Sequence, residues 1–162
     1  MVETLWAPWR MEYILGEHPG PGSCVFCLPP EHLGPLPERL VLYSDAEVLL
    51  IMNRYPYNNS HLMVAPRRHV ATLALADSRE RAALVNLAAR VTEILDKAQH
   101  PDGYNLGINQ GQVAGAGIAD HLHLHITPRY QGDTNYMTVI GETRVIPEHI
   151  KATYQKLLGF FS

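Results

Sequence analysis

Between Asp120 and Arg129 the chain reads Asp120-His121-Leu122-His123-Leu124-His125-Ile126-Thr127-Pro128-Arg129. Three histidines stand at alternate positions, with an apolar residue after each. This run constrains the fold more than any other stretch. A period of two is the period of a strand. One face then carries three imidazoles, ~6–7 Å between successive Cβ atoms, and the other carries Leu122, Leu124 and Ile126. A helix would scatter the rings around its axis. A half-buried strand whose polar face merely happens to be histidine is a poor account, because three of the chain's nine histidines fall in strict alternation here. Pro128 is expected to end the strand, since it cannot donate to a ladder.

The flanking sequence supplies partners for such a strand. Arg39 to Tyr43 and Ala46 to Met52 read as two strands around a Ser44-Asp45 turn, after a Pro/Gly-rich loop over residues 31–38. The polar turn 53–60 leads into a third strand, His61 to Pro66. Asp77 followed by Glu80 is a helix start, and Leu84, Leu87, Ala88, Val91 and Leu95 mark one face of a helix ending near Lys97 to His100. Tyr104 to Asn109 is a further strand, and Met137 to Ile140 a last one. Pro147 to Leu158 reads as a second helix with proline in its first turn. The expectation is an α+β fold: about five strands in a mostly antiparallel sheet, with two helices. The 162 residues fit one domain spanning 1–162, with residues 1–22 as an N-terminal arm that Trp6 and Trp9 either anchor to the body or carry to a subunit interface.

Composition narrows the function. A formal net charge of −3 with no basic block does not suit a polynucleotide groove. The longest strongly apolar run, Val48 to Met52, is too short to span a bilayer. The N-terminus shows no apolar signal segment, and two cysteines do not make a secreted disulfide framework. The expected location is cytoplasmic.

Those two cysteines form Cys24-Val25-Phe26-Cys27. Such a pair can be a redox couple, half of a zinc site or two packed thiols. A redox pair wants a helix starting at the first thiol, and Pro29-Pro30 forbids one here. Zinc needs two further ligands. Arg67-Arg68-His69 is by itself only a basic strand end. Asn53 can form an Asx-type turn or present its amide to a vicinal diol. His61 could pack beside the three histidines or simply begin its strand. The loop from Gln110 to Asp120 holds Gly111, Gly115 and Gly117, which permit close backbone approach and free N–H groups for phosphate oxygens. Arg129 reads as a surface ion pair or an anion clamp.

The His-x-His-x-His run resembles the motif of the histidine-triad family of nucleotide hydrolases and transferases. Gly132-Asp133-Thr134-Asn135-Tyr136-Met137 and Gly141-Glu142-Thr143-Arg144-Val145 resemble its branch of bacterial diadenosine tetraphosphate phosphorylases. The resemblance implies a homodimer, or a higher homo-oligomer, whose sheets join. It makes His123 the nucleophile toward a nucleoside 5′-phosphoryl group, with His125 and Gln110 on the phosphoryl oxygens. Gln110 stands eleven residues before His121, as in the family. Asn53 is implied to read the ribose; His61, Gly115, Gly117 and Arg129 complete the expected substrate-binding set. Cys24, Cys27, His69 and His121 are the implied ligands of a structural zinc. A dinucleoside polyphosphate is the implied substrate. Water or inorganic phosphate can discharge the nucleotidyl-histidine; the branch resemblance favours phosphate, which Arg129 or Arg144 could hold by bidentate hydrogen bonds, while a hydrolase, a nucleoside phosphoramidase and a non-catalytic nucleotide-binding module remain the alternatives. Neutral imidazole can form the covalent phosphoramidate near pH 7, its ordinary pKa being ~6.5.

Overall fold

A computed structural model describes residues 24–133, 146 and 148–161. Strands β1 (Val41–Ser44), β2 (Val48–Met52), β3 (Leu62–Pro66), β4 (Gly103–Ile108) and β5 (Leu124–Arg129) form one sheet, ordered β1-β2-β3-β5-β4. Every neighbouring pair is antiparallel. Helix α1 (Ser78–Gln99) lies between β3 and β4, and α2 (Ile150–Leu158) follows β5. The expected strand Met137 to Ile140 and the arm 1–22 lie outside the described residues. Among those described, no helix is long and apolar enough to cross a membrane.

Local chemistry sets most element ends. Asp45 turns β1 into β2 by accepting from the N–H groups of Glu47 and Val48, both at 2.8 Å. Asp77 caps α1 through the N–H groups of Arg79 and Glu80, and Glu80 returns the contact to Asp77 N at 2.8 Å. At the other end His100 turns left-handed, with φ 50°, before Pro101.

The apolar face of α1 covers one side of the sheet. Leu84, Leu87, Ala88, Val91 and Leu95 pack with Leu42, Leu50, Leu62, Val64, Leu122 and Ile126. Phe26, Val41, Leu49, Ile51, Met63 and Ala65 form a second cluster. In β2 the odd-numbered residues join the second cluster and the even-numbered ones the first, which is why Val48–Met52 is apolar throughout rather than alternating.

Three expectations need correction. His121 and His123 precede β5, which begins at Leu124. Pro128 does not end that strand but pairs with Tyr104 inside it. Its carbonyl accepts from Asn58 Nδ2 at 3.0 Å, beyond the last β3 pairing at Leu62. A strand residue's N and O point to the same side, so the proline's missing donor deprives β4 of nothing. Finally, α2 starts at Ile150 rather than Pro147, because His149 caps it by accepting from Lys151 N at 3.2 Å. Tyr154 ties α2 to the sheet by donating to Val41 O at 2.8 Å. Tyr154→Phe is expected to lower the urea-unfolding free energy by about 1 kcal/mol, the worth of one such bond.

Candidate functional site

The segment between α1 and β3 and the segment entering β5 meet at the Cys24–Cys27 turn. Cys24 Sγ lies 3.3 Å from His121 Nδ1, and Cys27 Sγ lies 3.3 Å from His69 Nδ1 and 3.7 Å from His121 Nδ1. One donor atom from each of the four residues falls within 4.8 Å of every other. A tetrahedral zinc with ordinary Zn–S and Zn–N bonds needs S···N edges of ~3.6 Å, so the donor set has the right size as well as the right chemistry. The outer contacts orient the rings. His121 Nε2 donates to Pro66 O at 2.9 Å, which leaves Nδ1 as the ligating atom. His69 Nε2 stands 3.7 Å from the Asp120 carboxylate. Burial holds the His121 pKa down to about 4, so the ring is in its neutral, ligating form. Arg39 clamps the turn from outside, donating to the carbonyls of Cys24, Val25 and Cys27 at 2.8–3.2 Å.

The remaining imidazoles form a separate chain. His123 is 4% exposed and its Nδ1 donates to His121 O at 2.8 Å. Its Nε2 therefore keeps the lone pair. Burial lowers the His123 pKa and favours that neutral form. Phe26, fully buried between the two cysteines, stacks on the His123 ring with centroids 4.9 Å apart. The metal-type cluster and His123 are thus joined both by this ring and by the His121 carbonyl.

His125 has the opposite polarity. The backbone N–H of Tyr57 can only donate, and it donates to His61 Nδ1 at 3.1 Å. The His61 proton must then sit on Nε2, from which it is given to His125 Nδ1 at 2.8 Å. That leaves the His125 proton on Nε2. One ring of the adjacent pair, centroids 4.8 Å apart, offers a lone pair and the other a proton. Attack on phosphorus with stabilisation of the phosphoryl oxygens needs that combination.

The other expected residues divide. Asn53 sits at the end of β2, where its Oδ1 accepts from Tyr55 N at 2.9 Å and its Nδ2 reaches His61 Nδ1 at 3.2 Å. It makes an Asx-type turn and braces the relay. Gln110 accepts from Leu73 N at 2.6 Å through Oε1, leaving Nε2 to donate. Gly115 takes φ +82°, and its N–H donates to Gln112 O at 2.9 Å. It therefore supplies the turn and not the free donor expected of it. Gly117 lies exposed in the following bend. Arg129 is not brought to the imidazoles. It lies four residues beyond His125, ~13 Å along a strand, and its guanidinium is held by Asp133 at 2.6 and 2.8 Å and by Asn105 at 2.8 Å. Arg144 lies outside the described residues. Phe26, Arg39 and Tyr57 carry the site's support without having been singled out. No spacing rule marks them, because each acts on a partner distant in sequence or through a backbone atom.

Comparison with known proteins follows the same lines. A family model described as HIT domain matches residues 37–132. A protein of Mycobacterium tuberculosis named AP-4-A phosphorylase is 36% identical over 164 residues, covering 96% of this chain and 83% of that protein. Adenylylsulfatase HINT3 of Arabidopsis thaliana is 33% identical over 68% of this chain and 54% of its own length. Among solved structures, a Zn-bound histidine triad family protein from Mycobacterium smegmatis matches with a TM-score of 0.64 at 26% identity, covering 85% of this chain and 91% of that one.

Proposed function

The chain belongs to the HIT domain family, and from that premise we propose that it is a nucleotidyltransferase that cleaves dinucleoside polyphosphates through a nucleotidyl-His123, its preferred reaction being phosphorolysis of diadenosine tetraphosphate to ATP and ADP. The observation that carries the reading is the opposed pair of tautomers, a lone pair on His123 Nε2 beside a proton on His125 Nε2, supported by the relative named AP-4-A phosphorylase. In the first step His123 Nε2 bonds to the terminal-side α-phosphorus of one adenosine. The bond from that phosphorus to its bridging oxygen breaks, and ATP leaves. In the second step phosphate attacks the same phosphorus, the P–N bond breaks, and ADP forms. His125 donates to the phosphoryl oxygens in both steps, with His61 holding its proton in place. Gln110 Nε2 and the backbone near Gly117 add donors on the same group. Asn53 reads the ribose hydroxyls.

Cys24, Cys27, His69 and His121 would hold a zinc whose contribution is structural: it cross-links the turn carrying Phe26 to the segment carrying His123. With four protein ligands such a site has no open position for substrate. The family resemblance further supports a cytoplasmic homodimer, and the outer strand β4, with Leu106 half exposed, offers a sheet edge for it.

Product analysis tests the reaction directly. Diadenosine tetraphosphate is incubated with the protein at millimolar phosphate and without phosphate, and the nucleotides are separated. ATP with ADP, formed in a phosphate-dependent way, is the expected result. ATP with AMP at millimolar phosphate makes the protein a hydrolase. Absence of turnover on any dinucleotide makes it a binding module.

A further inference from the structure

Two donors meet at His61 Nδ1, and both belong to the turn between β2 and β3. Tyr57 N lies 3.1 Å from it and Asn53 Nδ2 3.2 Å, the latter aimed there because Asn53 Oδ1 takes Tyr55 N. Tyr57 also lays its ring on His61, centroids 4.6 Å apart. Asn58 fastens this turn to β5. Extending the β3–β5 register beyond Leu62–Ile126 puts Ser60 opposite Pro128. Ser60 turns left-handed there (φ 56°), so the backbone before β3 leaves the ladder. The Asn58 side chain takes that rung instead: Nδ2 donates to Pro128 O at 3.0 Å and to Asp133 Oδ2 at 2.9 Å. Its Oδ1 accepts from Asn59 N at 3.0 Å, so the amide uses both protons and its oxygen. Asp133 is fixed in turn by Arg129, at 2.6 and 2.8 Å, and by Tyr130 N at 3.2 Å.

We propose that Asn58 is a positioning residue for the histidine relay: its amide, bridging Pro128 O and Asp133, sets the turn so that Tyr57 N and Asn53 Nδ2 both face His61 Nδ1. Those two donors keep the lone pair on Nδ1 and the proton on His61 Nε2, from which it is given to His125 Nδ1 at 2.8 Å. Once the bridge is lost the turn shifts, and His61 can carry its proton on Nδ1. Its Nε2 then takes a donor from His125, whose own proton moves from Nε2 to Nδ1. His123 and His125 would then present two lone pairs in place of a lone pair and a proton. Arg129, which does not reach the imidazoles, serves here by holding Asp133. The kinetic consequence rests on the reaction proposed above; the tautomers do not.

The ring nitrogen-15 NMR shifts of His61 and His125 in the full chain, taken above neutral pH, tell a protonated nitrogen from an unprotonated one. In the parent protein both rings should carry the proton on Nε2. Asn58→Ala removes the bridge. Asn58→Asp keeps the acceptor for Asn59 N but sets a carboxylate against Pro128 O and Asp133, so a role confined to the local turn would survive it. Both variants should show His61 shared between tautomers. Their kcat on diadenosine tetraphosphate should fall roughly tenfold with KM within about twofold, part of the worth of one positioned donor. Tyr154→Phe, which loses a buried hydrogen bond at α2, is the control for lowered stability alone and should keep the parent's shifts and kcat. A parent His61 protonated on Nδ1, unchanged tautomers in either variant, or altered tautomers with unchanged kcat would overturn the proposal. If the parent turns over no dinucleotide, the reaction assigned above falls, and the shifts still decide whether Asn58 holds the relay.

Discussion

His123→Ala is expected to lower turnover of diadenosine tetraphosphate by ~10⁴-fold or more, since losing a nucleophile removes the first covalent step outright. The fold should persist. The ring lies 4% exposed against Phe26, so its removal leaves a small cavity, and alanine retains the backbone that carries β5 onward. Binding of a nucleoside monophosphate should stay within a few-fold of the parent protein. Circular dichroism and a monophosphate titration separate loss of chemistry from loss of structure. Turnover within a few-fold of the parent would remove His123 from the nucleophile's role and return the alternating histidines to a structural one. Quenching the parent enzyme in mid-turnover should trap an acid-labile adenylyl group on His123, and the variant should trap none.

Removing zinc should cost the protein stability before it costs it chemistry. The four donors draw together the turn 24–27, the segment after β3 and the entry to β5; the last two are also joined through Leu122 N, which donates to Val70 O at 2.6 Å. A metal present at ~1,000 times its dissociation constant contributes about 4 kcal/mol, which is ~10 °C in the melting temperature of a chain this size. About one zinc per chain is expected by elemental analysis. Chelation, or Cys24→Ser with Cys27→Ser, should bring the lower melting temperature, and turnover at 25 °C should fall by less than in His123→Ala. The Cys24 thiol is pushed up to about 11, first by burial and further by the neighbouring Cys27. Loading must therefore expel a proton, and metal uptake should weaken as the pH falls. Protein made with ample zinc that contains none would defeat the assignment of these residues as ligands.

The two results together probe how closely the cluster and His123 are joined. His121 supplies Nδ1 to the cluster and its carbonyl to His123 Nδ1. Phe26 sits between Cys24 and Cys27 and stacks on His123. A turnover loss on chelation that exceeds the fraction unfolded would measure that coupling.

Much of this protein was legible in local pattern. The alternation of His121, His123 and His125 announced one face of imidazoles, because side-chain direction in an extended chain depends only on the residue's parity. Asp77 and Glu80 marked the start of α1, because a cap is made within three residues. Proline after the cysteine turn excluded a redox helix, again through a constraint on adjacent residues. These rules are short in range, and the sequence alone determined their outcome.

What the tertiary structure decided involves partners far apart in the chain. Which nitrogen of His125 bears the proton depends on His61, 64 residues away, and through it on the backbone of Tyr57. Arg129 could have faced an anion, but Asp133 and Asn105 hold it, and only the paired strands bring Asn105 within reach. Pro128 is tolerated within β5 because β3 has already ended beside it, a fact of register. Phe26 reaches His123 because the cysteine turn folds over the sheet. Such choices are made by competition among distant polar groups for a few close contacts. The winner is set by distances that exist only once the sheet has formed.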